Sequence, residues 1–109
     1  MESRELDSKN AGMYAWFAFR DARMRSAVNS SVYSEQERTR AERVRMGLML
    51  VYRGKDFYIE YRKTFVAIKI DSPVVYDRKN LMILENDYAK LGIVKRVSKQ
   101  GIIYRIPKG

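Results

Sequence analysis

From Phe57 to Arg62 the chain alternates strictly. Phe57, Ile59 and Tyr61 fall in one phase and Tyr58, Glu60 and Arg62 in the other, the period of two expected of a strand with one buried face. Around this run the stretch Leu48–Ile70 divides into three short strands separated by polar turns at Arg53–Asp56 and Arg62–Thr64. Gly54 stands where a tight turn would use its backbone freedom. The pattern predicts a three-stranded antiparallel meander at the centre of the molecule.

Helical spacing flanks the meander on both sides. Met13, Phe17, Met24 and Val28 share one face of a helix predicted over Met13–Val28, which Trp16 and Phe19 broaden. Those aromatics suit a core, a stacking platform or a membrane-surface anchor, and core packing is the reading preferred here. Residues 1–12 are polar and aperiodic, and are expected to form a flexible terminus ahead of a single domain over 13–109. After a polar break at Asn29–Ser31, Ser34 and Glu37 match the capping-box spacing, so a second helix starts there and runs to Met46, with Gly47 as its end. Its charges alternate in sign, and pairs such as Glu35 with Arg38 and Glu42 with Arg45 suit a solvated helix better than a groove-reading one.

Asp71, Ser72 and Pro73 interrupt the strands. Asp77 then caps a third helix in which Leu81, Leu84, Tyr88 and Leu91 share a face, and Gly92 stops it. The runs Ile93–Val97 and Ile102–Ile106, joined by Ser98–Gly101, read as a hairpin placed to extend the same sheet, with Gly101 in the loop position that often needs positive φ. The expected fold class is therefore α+β: two N-terminal helices, a three-stranded meander, a third helix and a C-terminal β-hairpin.

Composition narrows the chemistry. The 109 residues include neither cysteine nor histidine, which removes thiol nucleophiles, disulfides, zinc fingers and every imidazole-based triad. The six carboxylates that follow the second helix, Asp56, Glu60, Asp71, Asp77, Glu85 and Asp87, are scattered over turns, a strand and a helix, and glycine-rich phosphate loops are absent. No catalytic residue, metal or cofactor is expected. The opening residues lack a secretory pattern and no run is long and apolar enough to span a membrane, so a cytoplasmic location without membrane attachment is the expectation.

Charge then points to partners. Lys and Arg number 22 against 13 Asp and Glu, a formal +9, and after Asp87 six cations follow without one acid. Such a balance attracts phosphate backbones, anionic membrane surfaces or an acidic protein face. A helix leading into a two-stranded hairpin tipped by Lys99 resembles, in shape alone, the second half of a winged helix. The candidate nucleic-acid contacts, to DNA or RNA, are Lys90, Lys95, Arg96, Lys99 and Arg105, with Arg62 and Lys63 on a strand turn and Tyr104 as a stacking aromatic. The alternatives are a protein-interaction module that docks a basic face on an acidic partner, and a hairpin whose cations only discourage edge-to-edge aggregation.

Overall fold

The computed structural model describes residues 23–109, which form an α+β assembly of three helices and two antiparallel sheets. The expected flexible segment 1–12 and the first part of the expected helix, to residue 22, lie outside the described residues. Residues 23–30 are helical (α1). They are followed by α2 (Glu35–Val51), β1 (Tyr52–Arg53), β2 (Asp56–Tyr61), β3 (Phe65–Asp71), β4 (Val74–Val75), α3 (Arg78–Lys90), β5 (Val94–Val97) and β6 (Gly101–Pro107).

The helix starts follow their sequence signals. Ser34 Oγ accepts from the Glu37 amide at 3.1 Å while the Ser34 amide donates to Glu37 Oε1 at 2.8 Å, so two amides at the start of α2 are satisfied reciprocally. Ser34→Ala should cost about 1 kcal/mol and lower the melting temperature by about 5 °C. Circular dichroism on heating checks this, and an unchanged melt would show that the box contributes nothing. Asp77 caps α3 by accepting from the Asn80 amide at 3.0 Å, and Gly92 ends it at φ 79°.

The first expected strand is instead helix. Ala41, Val44, Leu48 and Val51 are all buried on one stripe of α2, a spacing of three, four and three that carries the helix past Met46 through the residues expected to begin the meander. Gly47 does not end α2. It lies inside it, where a Cβ would come within 2.6 Å of the Tyr88 hydroxyl, so its lack of a side chain lets α3 approach, and Tyr88 donates to the Val44 carbonyl at 3.2 Å. Chain reversal waits until Tyr52. The short β1 then pairs with β4, a strand directly after Pro73 where the sequence predicts none, and not with β2.

The main sheet has the order β2-β3-β6-β5. The C-terminal hairpin does extend it, β6 pairing with β3 from Phe65↔Pro107 to Asp71↔Gly101. Register divides the side chains between two faces. Phe57, Ile59 and Tyr61 share the inner face with Val66, Ile68, Ile70, Ile102, Tyr104 and Ile106, and these join Leu48, Val51, Tyr52, Leu81 and Tyr88 of α2, β1 and α3 in one core. Tyr33 enters the same core and donates to the Arg62 carbonyl at 2.6 Å.

The described part of α1 packs differently from the sequence expectation. Met24 and Val28 are 54% and 69% exposed, whereas the polar Ser26 and Asn29 meet the sheet. Ser26 Oγ accepts from the Tyr61 amide at 2.8 Å and Asn29 Nδ2 donates to the Tyr61 carbonyl at 3.0 Å. Those are the backbone groups that β2 turns away from β3, so α1 closes that edge of the sheet. Among the described residues no helix is long and apolar enough to cross a membrane.

Candidate nucleic-acid interface

The outer face of the main sheet follows from the same register. Tyr58, Lys69, Ile103 and Arg96 stand opposite one another in one row across all four strands, and Glu60, Ala67, Arg105 and Val94 in the next, with Phe65 and Pro107 beyond. Adjacent strands lie about 4.8 Å apart, so a row spans roughly 14 Å. Both α2 and α3 pack on the opposite face.

The cations on this side differ in how far they are committed. Glu60 is gripped by Lys69 at 2.9 Å and by Arg62 at 2.7 Å. Burial opposes its ionisation, but the two cations outweigh that and hold its carboxyl below the ordinary range. The Arg105 guanidinium lies 4.7 Å from the Phe65 ring centroid, in cation–π range. Its Nε is enclosed and finds no acceptor. Arg96 is exposed on β5, Lys99 on the β5–β6 loop and Lys63 on the β2–β3 turn, and none has an ionic partner among the described residues. Tyr58, 44% exposed, presents a ring beside Lys69.

Two of the expected binding residues are on the wrong side. Tyr104 is 1% exposed in the core, where its hydroxyl donates to Glu85 Oε2 at 2.6 Å and lies 3.0 Å from the Tyr52 hydroxyl. It cannot stack on a base. Lys95, one residue out of phase with Arg96, points to the inner face and pairs with Glu85 at 2.9 Å. Burial opposes its charge, yet the carboxylate overcomes this and raises the ammonium above the usual lysine value.

The remaining cations do not gather at one pole. Arg62 and Lys63 stand at the Phe65–Pro107 end of the sheet and Lys99 at the Asp71–Gly101 end, six residues along β6 and thus roughly 20 Å apart. Lys90 lies in the last turn of α3, apart from the outer face. The Lys99 end also carries Asp56 opposite Asp71. What the structure brings together is Arg96, Arg105 and Lys69 on the face, with Arg62 and Lys63 at one margin. Lys69 and Phe65 were legible as members of this face, because they fall in the phase opposite to Val66, Ile68 and Ile70.

The arginines of α2 are partly engaged within the fold. Arg45 pairs with Glu42 at 2.9 Å, as its spacing suggests, and reaches the Phe57 carbonyl at 3.4 Å. Arg38 turns from Glu35 to the carbonyls of Ser30 and Tyr33. No family model matches the chain, and neither a curated protein nor a solved structure matches it significantly.

Proposed function

We propose that this is a cytoplasmic, non-enzymatic nucleic-acid-binding or regulatory protein that grips phosphates with the outer face of its main sheet. The observation that carries the reading is Arg96 and Arg105 on one face, bordered at its opposite ends by Lys63 and Lys99, all four without ionic partners among the described residues. Phosphate oxygens would supply acceptors to guanidinium groups that lack them. Tyr58 and Phe65, interleaved with Lys69 and Arg105 on the same face, suit unpaired bases, which stack on aromatic rings. A sheet face whose two larger helices pack into the core on the opposite side has less to offer a major groove.

Fluorescence anisotropy with labelled single-stranded and duplex DNA and RNA, between about 50 and 200 mM salt, tests this. Affinity should fall steeply with salt, and replacing Arg96, Lys99 and Arg105 together by alanine should reduce the logarithmic slope by about 2 to 3. Lys95→Ala should leave the slope unchanged, since that ammonium is committed to Glu85 on the inner face. Binding that is indifferent to salt, or equally lost in Lys95→Ala and the triple variant, would remove the phosphate grip. The second reading, an acidic protein partner, is favoured by a separate feature, the edge of β5, which no described residue covers.

A further inference from the structure

The two edges of the main sheet are treated differently. At β2, the outward-facing amide and carbonyl of Tyr61 are both taken up by α1, and the outward carbonyl of Phe57 accepts from Arg45. At β5 nothing comparable occurs. The Ser98 amide donates to the Gly101 carbonyl at 2.8 Å, which sets the alternation of the hairpin so that Arg96 and Val94 bond to β6 while Val97 and Lys95 turn their amides and carbonyls outward. Those groups meet no partner among the described residues. All four residues of β5 are exposed, Val94 at 54% and Val97 at 72%.

An open strand edge is a template for another strand, and the side chains decide which. A second copy is opposed by charge. In each antiparallel register that overlaps at least three of the four β5 residues, Lys95 meets Lys95, Arg96 meets Arg96, or Lys95 meets Arg96. Like charges directly opposite destabilise a strand pair. On the outer side of the edge Arg96 has no carboxylate partner among the described residues, and Lys99 lies just beyond it with none among them either. On the inner side Lys95 already has one carboxylate, Glu85, which lessens its need for another, and is followed by the apolar Val97.

We infer that the β5 edge receives an extended acidic segment of another protein, added as a fifth strand to the sheet, with carboxylates on the outer side beside Arg96 and apolar residues on the inner side beside Val97. Main-chain hydrogen bonds to Lys95 and Val97 supply the register, and alternate side chains supply the selectivity. This surface is the rim of the sheet, not its face. It shares only Arg96 and Lys99 with the nucleic-acid reading and does not depend on it.

The test is anisotropy of a fluorescein-labelled peptide of about eight alternating Glu and Val residues against the full chain. Its backbone N-methylated form should bind at least about tenfold more weakly, and the corresponding Lys-Val peptide should not bind. Val97→Pro removes an outward amide that β6 does not use, and should weaken the peptide by a similar factor. In amide NMR spectra Lys95 and Val97 should shift on peptide addition. Should Val97→Pro fail to fold, the N-methylated peptide still decides, because it leaves the protein untouched. Equal affinity of the two peptide forms would reduce the contact to charge attraction and overturn the inference. So would a chain that binds single-stranded nucleic acid but neither peptide.

Discussion

Gly101→Ala is expected to be the most damaging small substitution in the protein. A Cβ at that position would lie 2.0 Å from the Ile70 carbonyl oxygen and 3.1 Å from its carbonyl carbon, both backbone atoms of the central strand β3. No rotamer change relieves such a contact. Either β6 withdraws from β3 at its first residues, unpairing Ile70 from Ile102, or the chain does not fold. A cost of about 3 kcal/mol or more follows, a large part of the roughly 5–15 kcal/mol available to a domain of this kind. At about 4–8 °C per kcal/mol this lowers the melting temperature by more than about 12 °C. Thermal and urea melts followed by circular dichroism would show it. Gly92→Ala is the control, because its difficulty is conformational: φ is 79° and the nearest side-chain atom, Pro107 Cγ, is a comfortable 3.5 Å from the added carbon. It should cost about 1 kcal/mol. If the two variants melted together, the close approach of β6 to β3 at Gly101 would be wrong.

The two glycines also show where sequence reasoning succeeds. Caps, stops and strand alternation follow from the sequence where their cause is local. The capping box at Ser34, the cap at Asp77 and the left-handed stop at Gly92 involve residues within a few positions of one another. So does the alternation of β2. Gly101 and Gly54 were recognisable as special, but for the wrong reason. Neither has positive φ. Each is required by crowding against Ile70 and Asp71 of β3, a contact between segments that no short window contains.

The same limit explains the misread strand. Leu48, Met49, Leu50, Val51 and Tyr52 are apolar in an unbroken run, which fits a buried strand or a helix that packs on two sides. Gly47, just before the run, favours a break there. Only the Tyr88 hydroxyl, 41 positions away on α3, makes a glycine inside α2 useful. For the candidate site, the cations were visible but their sides were not. Arg96 and Lys95 differ by one residue, and with every residue of β5 exposed the strand has no burial pattern of its own. Its phase is set by the pairing with β6, which sends Lys95 to Glu85 and Arg96 to the outer face.

That inward lysine is the basis of the second large effect. Glu85 Oε2 accepts from both Tyr104, at 2.6 Å, and Lys95 Nζ, at 2.9 Å, and Tyr104 in turn is linked to Tyr52 at 3.0 Å. One carboxylate therefore satisfies a hydroxyl in the core and a cation at the rim, and ties α3 to both strands of the C-terminal hairpin. Glu85→Ala leaves the buried Tyr104 hydroxyl without that acceptor, while Lys95, more open to water, can turn outward. A loss of about 2 kcal/mol is expected, mostly from the hydroxyl. Glu85→Gln keeps an acceptor and should lose about half as much.

The pH dependence separates the two contributions. Burial works against the Glu85 carboxylate, but Tyr104 and Lys95 more than compensate and depress its pKa in the folded protein. Its share of the stability is therefore present above the ordinary carboxylate pKa and is lost as pH falls through the depressed folded value. Lys95, whose pKa is raised, contributes below the ordinary lysine pKa and loses that share as pH rises through its folded value. Urea midpoints of the wild type and Glu85→Gln should thus lie furthest apart near neutrality and converge in acid. Lys95→Met should remove the alkaline loss and leave the acid one reduced, because Tyr104 still donates to the carboxylate. A separation that stays constant from neutral pH into acid would mean that Glu85 acts by its shape alone, and that its charge does not hold the hairpin to α3.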